Sequence, residues 1–514
     1  METRAHPSAG AENGAPVAAP DPSSTHRGGV IYFVWAFVGV ALMIGAWSFA
    51  TPLGAGPDEP NHMAQAAAIV RGQFAEPLHP STSGAIAAVH IPRYVWLVGF
   101  GPNCFAFRPQ VSAACASPIG DSTAEVRALT QFSNAPPLYY LVTGVPTLLW
   151  SGSGALYAMR VVSGLVNAAL VALGMFLLLR YHPRRAPMLG TLVALTPMAL
   201  FIMAVVNSSG LELAAGFATW CGWLCVIEYP AVPRALAAWT AIATVLLILA
   251  RPTSPLDAVI VAVVLGVLVG WRGLCTRFDR STRPLWISGV AALVAAGVVL
   301  LIFGRPHLLG IPGAHRQSLA SNMWATLRQT GDRFRQTVGE FGWLDTPVQA
   351  WVVAVWASAL GLLTAVAVVL SRPCRRALPL LAVLAVAMPL VLESPQINTV
   401  GLFWQGRYWL PVLVGFPLVA SSFHGASARR MQPVVRWGGA GAIVVGAGLA
   451  AAQIASFRLN LRRYESGLGP HAPATARWAP PGGEAATVVF VAGVVVTVAL
   501  VLVAMLRRVD VSGG

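Results

Sequence analysis

Apolar and polar residues are arranged along this chain in long blocks. Twelve apolar runs of near membrane-crossing length are separated by polar connections. Because a helix of about 20 apolar residues crosses the hydrocarbon core of a bilayer, each run predicts a membrane-spanning helix. The runs are 30–50, 156–179, 187–206, 211–228, 235–250, 256–271, 284–303, 348–370, 377–393, 408–424, 437–457 and 486–506.

The composition agrees with this interpretation. Of the 514 residues, 56% are hydrophobic and only 10% are charged, whereas soluble domains carry about 25% charged residues. We predict an all-α, polytopic transmembrane bundle of about 12 spans over residues 29–507. Residues 1–28 are rich in Pro, Ala, Ser and Gly and are predicted to be a disordered cytoplasmic tail. Residues 508–514 are predicted to be a second cytoplasmic tail.

Arginine is concentrated in alternate connections between the runs. Because cytoplasmic loops are enriched in cations, these connections and both termini are assigned to the cytoplasm. Three long outer segments remain, 51–155, 304–347 and 458–485, and the first is the largest. Arg251 is an exception, since it lies in a short connection predicted to be outside. The formal charge of +15 is then explained by arginines facing anionic lipid, without a nucleic-acid partner.

The segment 135–150 is apolar but short, and three prolines interrupt it. Counting it as a span would place the later arginine clusters outside, against the positive-inside rule. We therefore predict an interfacial or re-entrant helix on the outer face. The alternative is a true span with inverted topology for all later connections.

Two cysteines, Cys104 and Cys115, lie in the first outer segment. In an oxidising exterior they can form a disulfide that closes a small loop. Spacing alone does not determine whether their geometry permits the bond.

An acidic pair follows the first run, in the order Asp58, Glu59, Pro60, Asn61 and His62. Pro60 suits the first turn of a helix, which places both acids at its amino end. One alternative is a helix cap, in which an Asp accepts backbone N–H groups. A cap explains one acid and leaves Glu59 and His62 without a role. The group is therefore a candidate site for a substrate, or for a divalent cation held by Asp58, Glu59 and His62.

Further candidate substrate-binding residues lie at the outer ends of other runs. Arg407 is costly at that depth unless it is paired or hydrated, and its guanidinium suits a phosphate group. The alternative for Arg407 is a side chain that extends to the interface within an aromatic belt. The remaining candidates are Tyr139, Arg160, Glu340, Trp343, Asp345, Gln405 and Tyr408.

No acidic residue falls in the middle of an apolar run. A proton or ion relay across a bilayer normally needs ionisable groups at that depth. The chain also lacks the glycine-rich motifs of nucleotide-binding sites. These patterns favour chemistry or recognition at the outer surface, with a substrate delivered through the membrane.

Five motifs in this order resemble a bacterial membrane family, domain of unknown function 2142. They are PDEPNH, NAPPLYY, VNSSGLE, GEFGWLDTP and QGRYWLP. The chain is more loosely similar to the GT-C superfamily of glycosyltransferases, which use polyprenyl-phosphate sugars. That similarity implies a GT-C-like fold in a bacterial plasma (inner) membrane, with Asp58 as the catalytic acid, Glu59 assisting it, and Arg407 near the donor phosphate.

The resulting hypothesis is a membrane glycosyltransferase that uses a lipid-linked sugar on the outer face. Asp58 would act as general base on an acceptor hydroxyl. The alternative is a non-enzymatic transporter or assembly factor for cell-envelope lipids or polysaccharide. Such a protein would explain the spans and Arg407 equally well, but it gives no reason for an acidic pair at a helix start.

Overall fold

The computed structural model describes residues 22–73, 76–77, 87–133, 135–275, 282–303, 317–469 and 477–506. It is mostly helical, at 73%. The predicted tails fall largely outside these residues, as do 304–316 and 470–476 of two predicted outer segments. The first helix begins at Pro22, within the range predicted to be a tail.

The amino-terminal part consists of one long helix, a mixed segment and two short helices. Its helices are α1 (Pro22–Phe49), α2 (Glu59–Ile69), α3 (Arg93–Leu97), α4 (Leu138–Gly144) and α5 (Pro146–Leu149). Its strands are β1 (Glu76–Pro77), β2 (Ala87–Pro92) and β3 (Glu125–Thr130), and its 3-10 turns are Gly101–Cys104 and Ala113–Cys115.

The remainder is a bundle of long and short helices. The helices are α6 (Gly152–Tyr181), α7 (Pro187–Ala194), α8 (Pro197–Ala204), α9 (Ser208–Val226), α10 (Arg234–Ile248), α11 (Ser254–Val269), α12 (Trp271–Cys275), α13 (Arg283–Phe303), α14 (Leu319–Arg328), α15 (Thr330–Gly339), α16 (Ala350–Leu370), α17 (Arg372–Leu392), α18 (Ile397–Val400), α19 (Leu410–Leu413), α20 (Gly415–Ser422), α21 (Ala428–Ser466) and α22 (Ala485–Leu506). Strands β4 (Glu340–Phe341) and β5 (Thr346–Pro347) and the 3-10 turns Ser394–Gln396 and Gly406–Tyr408 lie between them.

Each of the twelve predicted runs lies on a helix or on a closely spaced helix pair. By length and composition, six helices of the described chain can cross a membrane, and the bent pair α7–α8 raises the number to seven at most. That pair turns by 65°. The predicted count of about twelve spans is therefore not confirmed, because helices such as α10 and α11 are shorter than a full crossing.

The segment 135–150 forms α4 and α5, which together cover Leu138–Leu149. A helix of that length extends roughly 18 Å, whereas the hydrocarbon core is about 30 Å thick. The segment is too short to cross alone, and this favours the interfacial or re-entrant helix over the alternative of a true span.

Helix α9 occupies the centre of the bundle, and all of its residues are buried. It packs against α6 and α10, and α6 packs in turn against α1. Helices α1 and α22 approach closely at Gly39 and Gly493, where a Cβ on Gly493 would lie 2.8 Å from the carbonyl oxygen of Gly39. Small residues allow such backbone contacts between membrane helices.

Trp47 anchors the end of α1 that precedes the acidic pair. Its fully buried ring contacts Phe201, Phe341, Phe457 and Phe490. These rings come from α8, β4, α21 and α22. Because aromatic contacts of this kind are specific in geometry, they fix where the chain leaves α1 and enters the segment that carries Asp58.

The segment between α1 and α6 contains a small sheet that the all-α prediction missed. Strands β1, β2 and β3 form an antiparallel sheet in that order, and β4 pairs with β5 elsewhere. In β3 the last residues alternate between exposed and buried, as in a sheet with one covered face. The long apolar runs dominate the sequence pattern, so a six-residue strand is easily overlooked.

Cys104 and Cys115, whose pairing the sequence left open, are joined by a disulfide. Next to it, Phe105 and Ala113 are buried against Tyr464 near the end of α21. The Ser112 hydroxyl donates to the carbonyl oxygens of Tyr464, at 3.0 Å, and Glu465, at 2.8 Å. The disulfide loop is therefore docked onto the bundle.

Candidate functional site

Asp58 and Arg407 meet at one end of the bundle, although 349 residues separate them. Arg407 lies in the 3-10 turn before α19 and donates from Nη2 to Oδ2 of Asp58. Its Nη1 donates to the Pro57 carbonyl oxygen at 3.1 Å. The Arg407 side chain is 1% exposed and that of Asp58 is 30% exposed. The ion pair is thus buried on the arginine side and open on the acid side.

The helix-cap alternative for Asp58 is wrong. Asp58 stands at the N-cap position of α2, but its side chain accepts no capping hydrogen bond. Its backbone is left-handed, with φ of 60°, a conformation that Asp tolerates better than most residues. This turn directs the carboxylate to Arg407 instead of to the helix N–H groups.

The Asp58 carboxylate is held ionised. Burial opposes ionisation, but the Arg407 guanidinium, with a smaller contribution from Arg251, brings the pKa of Asp58 below its usual value. Within the described chain, Oδ1 of Asp58 accepts no hydrogen bond. A charged, partly exposed carboxylate with one free oxygen can accept a proton from a hydroxyl group.

Glu59 points away from Asp58, which corrects the prediction that it assists there. Its Oε1 accepts from Arg160 Nε at 2.7 Å, and its Oε2 accepts from Arg160 Nη2 at 2.6 Å. Backbone N–H groups of Gly54, Gly56 and Val206 occupy the remaining positions. Both side chains of this pair are fully buried. Glu59 is therefore a structural residue with no free lone pair for chemistry.

Arg160 is likewise unavailable to a substrate, contrary to its prediction as a binding residue. Beyond Glu59, its guanidinium donates to the carbonyl oxygens of Ser48, Thr51 and Pro52. These carbonyls belong to the end of α1 and the turn that follows it. Arg160 thus fastens α6 to the start of the segment that carries Asp58.

His62 is buried and neutral. Its Nδ1 lies 2.9 Å from the Tyr140 hydroxyl, and its ring stacks on Phe132 at 3.8 Å. Burial lowers the pKa of His62 to about 3, an effect that Asp58 opposes and Arg407 reinforces. The His62 ring therefore packs between α2 and the residues around Tyr140 and Phe132, and it carries no charge at neutral pH.

The divalent-cation site proposed at Asp58, Glu59 and His62 does not fit this geometry. The oxygens of Glu59 are saturated by N–H groups, and Nδ1 of His62 faces a hydroxyl. Among the described residues, no group of three His, Cys, Asp or Glu side chains is placed to hold a metal ion.

Tyr408 lies beside Arg407 and contacts it twice. Its hydroxyl accepts from Arg407 Nη2 at 2.9 Å, and the guanidinium carbon lies 4.8 Å from its ring centroid. Tyr139, in contrast, is buried with its hydroxyl 3.0 Å from that of Ser163. Tyr408 belongs to the site, whereas Tyr139 packs α4 onto α6.

Asp345 and Trp343 contact the disulfide-bonded loop. Asp345 accepts at Oδ2 from the Phe107 backbone N–H and from Arg463 Nη2, both at 3.0 Å. The Trp343 ring lies against that of Phe107, with centroids 6.0 Å apart. These contacts join the β4–β5 region to the disulfide-bonded loop and to α21. The predicted substrate-binding role of Trp343 and Asp345 stays a prediction.

Glu340 directly follows α15, and Gln405 precedes a turn that contacts the same helix. The Gly406 N–H donates to Oε1 of Gln336 in α15 at 2.8 Å. Burial raises the pKa of Glu340. Oε1 of Gln405 is buried and has no hydrogen-bond partner among the described residues. Gln336 thus holds the turn that presents Arg407, and a substrate-binding role for Glu340 and Gln405 stays a prediction.

Arg251 and Glu212 also lie at the site, although neither was predicted there from the sequence. Arg251 lies between α10 and α11 and donates to Glu212 at 2.9 Å, while its guanidinium carbon lies 4.6 Å from the Tyr408 ring centroid. Ser254 donates to the other oxygen of Glu212 at 2.6 Å. One signal was available, since Arg251 departed from the arginine pattern of the short connections.

Two solved structures are similar to this chain. ArnT from Cupriavidus metallidurans, bound to undecaprenyl phosphate, is 16% identical over 93% of this chain and 78% of that chain, with a TM-score of 0.43. The apo state of the same protein is 15% identical over 93% and 77%, with a TM-score of 0.44. No curated protein matches the sequence.

A family described as "Predicted membrane protein (DUF2142)" matches residues 41–416. The match contains Asp58, Arg251 and Arg407 and covers most of the chain. It confirms the resemblance drawn from the five sequence motifs. The chain belongs to the DUF2142 family of membrane proteins.

Proposed function

We propose that this protein is a membrane glycosyltransferase. It would transfer a sugar from a polyprenyl-phosphate donor to a cell-envelope acceptor at the outer face of the bacterial plasma membrane. The observation that carries the proposal is the pairing of a partly exposed, ionised Asp58 with a buried Arg407. A base and an anion-binding group are thereby placed side by side at the end of a membrane bundle.

The reaction is a single displacement at the anomeric carbon. The acceptor hydroxyl oxygen forms a bond to that carbon while the bond from the carbon to the phosphate oxygen breaks. The hydroxyl proton passes to Asp58, whose Oδ1 is free of hydrogen bonds within the described chain. Attack from the side opposite the leaving phosphate inverts the anomeric centre.

The ion pair couples the two charge changes of this step. Breaking the glycosyl–phosphate bond adds one negative charge to the polyprenyl phosphate, and proton transfer removes one negative charge from Asp58. Arg407, which contacts Asp58 in the resting state, is then free to stabilise the phosphate. A hydrogen bond from Arg407 that strengthens as negative charge develops on the phosphate lowers the barrier. It does so without making the substrate bind more tightly in the ground state.

A lipid-linked donor also needs an apolar surface near Arg407. An apolar cavity lies beside α19, lined by Leu410, Leu413, Phe334, Trp356 and Leu360. Leu410 begins the helix that follows the Arg407 turn. This cavity suits the first isoprene units of a polyprenyl chain whose phosphate lies at Arg407.

Turnover of the donor tests the proposal. Full-length protein in nanodiscs would receive a panel of radiolabelled polyprenyl-phosphate sugars with a cell-envelope extract as acceptor. We expect label to move to the acceptor with release of polyprenyl phosphate. Asp58→Asn should slow this by at least about 10²-fold. Asp332→Asn is a matched control, because its exposed carboxylate pairs only with nearby Arg335.

The alternative of a transporter or assembly factor predicts a different outcome. Wild-type protein would then move lipid-linked sugar between leaflets without consuming it. Donor consumption that is equal in wild type and Asp58→Asn would also overturn the assignment of the base.

A further inference from the structure

Two guanidinium groups share the ring of Tyr408. The Arg407 carbon lies 4.8 Å from the ring centroid and the Arg251 carbon lies 4.6 Å from it. The two cations come from distant parts of the chain, and they are close enough to repel each other. Both guanidinium groups contact the electron-rich ring of Tyr408, which reduces the cost of gathering two like charges. A pair of cations held together in this way is a site for an anion.

The two arginines differ in how fully they are engaged. Arg407 donates to Asp58, Pro57 and Tyr408, and its side chain is 1% exposed. Arg251 donates from Nη1 to Glu212, and within the described chain its Nε and Nη2 have no hydrogen-bond partner. Its side chain is 18% exposed. In the resting state, therefore, Arg251 is the cation that can accept a ligand without first losing a partner.

Glu212 holds Arg251 in this position. The Glu212 side chain is 2% exposed and accepts from Arg251 at 2.9 Å and from Ser254 at 2.6 Å. The contact fixes one edge of the guanidinium and leaves the remaining N–H groups free. Arg251 is thus pre-oriented, which reduces the entropy lost when an anion binds.

We propose that Arg251 binds the phosphate of the lipid-linked donor in the ground state and that Glu212 is its positioning residue. This inference rests on the proposed function. Arg407 takes its share of the phosphate charge only when Asp58 has accepted a proton. The two cations therefore act at different stages: Arg251 contributes to donor binding, and Arg407 contributes to the chemical step.

This division predicts a split in the kinetic constants. Loss of an interaction made equally in the ground and transition states raises KM and leaves kcat unchanged. Loss of one made only in the transition state lowers kcat. Arg251→Gln should therefore raise the KM for the donor, whereas Arg407→Gln should lower kcat. A purely structural role for Arg251 would not separate the two constants.

Direct binding tests the inference without requiring turnover. Full-length protein in nanodiscs would be titrated with polyprenyl phosphate, and with the uncharged polyprenol of the same length as a second probe. We expect Arg251→Gln to weaken polyprenyl phosphate binding at least about tenfold, as expected for a charge-assisted hydrogen bond. Polyprenol binding should not change. Arg234→Gln, an exposed arginine at the start of α10, should bind both probes as wild type does.

A second variant covers misfolding of the first. Arg251→Gln leaves the buried Glu212 without its counter-charge, so the double variant Arg251→Gln, Glu212→Gln removes both charges. We expect the double variant to unfold near the wild-type temperature and still bind polyprenyl phosphate weakly. If either folded variant binds polyprenyl phosphate as tightly as wild type, the role of Arg251 is overturned. If the wild-type protein binds polyprenyl phosphate no more tightly than polyprenol, the proposed function fails instead.

Discussion

Glu59 and Arg160 form a fully buried, bidentate ion pair, with N–O distances of 2.7 and 2.6 Å. The adjacent Asp58 turns the other way, towards Arg407 and the exposed side of the site. Two neighbouring acids in the sequence therefore have separate roles. One holds the first loop segment to α6, and the other carries the proposed chemistry.

The separate roles predict effects of different size on stability. Glu59→Gln leaves a buried guanidinium without its counter-charge, and breaking such a pair typically costs about 3–5 kcal/mol. Asp58→Asn also leaves Arg407 without its counter-charge, but the acid is 30% exposed and water can replace part of the lost interaction, so this variant should lose less stability. Thermal unfolding of the two purified variants in detergent measures the difference. Equal stability of Glu59→Gln and wild type would contradict the structural role of Glu59.

Arg407 also controls the basicity of Asp58. Because its guanidinium lowers the pKa of Asp58 against the effect of burial, Arg407→Gln should raise that pKa. The acid limb of the profile of kcat/KM against pH should then move to higher pH. Removing a donor to the leaving group should also lower kcat by about 10²–10³-fold. An unshifted acid limb in this variant would show that Asp58 is not the titrating base.

His62 makes the folded state sensitive to acid. Its pKa falls from 6.5 to about 3 on folding, chiefly through burial. The unfolded chain therefore binds the proton first as pH falls, and the folded state loses stability below about pH 6.5, by up to ~1.4 kcal/mol per pH unit.

Thermal unfolding between pH 7.5 and 5 measures this effect, since that window lies above the titration of Asp58. His62→Gln should reduce the dependence on pH without abolishing it, because burial also lowers the pKa of His182, to about 4. The matched control is His90→Gln, because His90 is exposed beside Glu125. A slope that His62→Gln leaves unchanged would mean that another group carries the acid sensitivity.

The Cys104–Cys115 disulfide reports on the side of the membrane. In membranes prepared with a thiol-blocking reagent, mass spectrometry should find the two residues bonded to each other, as expected in an oxidising compartment. Replacing both by Ala should lower stability by about 2–3 kcal/mol. Free thiols at both positions in the native membrane would place this segment on the reducing side.

The sequence predicted the helices well and their number of crossings less well. Each of the twelve apolar runs lies on a helix or helix pair, because membrane helices are long and uniformly apolar, but α14 and α15 lie outside the runs and were not predicted. It did not show that the chain bends between α7 and α8 or that α10 is short. Strands β2 and β3 were missed because each has only six residues, too few to stand out beside the long apolar runs.

The site was predicted in part. Asp58 and Arg407 were singled out as unusual charges at an interface, and the structure brings them together. Adjacency suggested the same use for Glu59, but the left-handed turn at Asp58 sends the two carboxylates in different directions. Arg160 and Glu212 have partners far away in sequence. No local pattern reveals whether such a residue is saturated or free.

Single-turnover transfer by Asp58→Asn tests the central claim most directly. The variant would be loaded with excess radiolabelled polyprenyl-phosphate sugar in nanodiscs, and transfer to the acceptor would be followed after rapid mixing. We predict that donor binds with nearly wild-type affinity while the transfer rate falls by at least about 10²-fold. Transfer at the wild-type rate from the bound donor would contradict the account, because the proton would then have another acceptor.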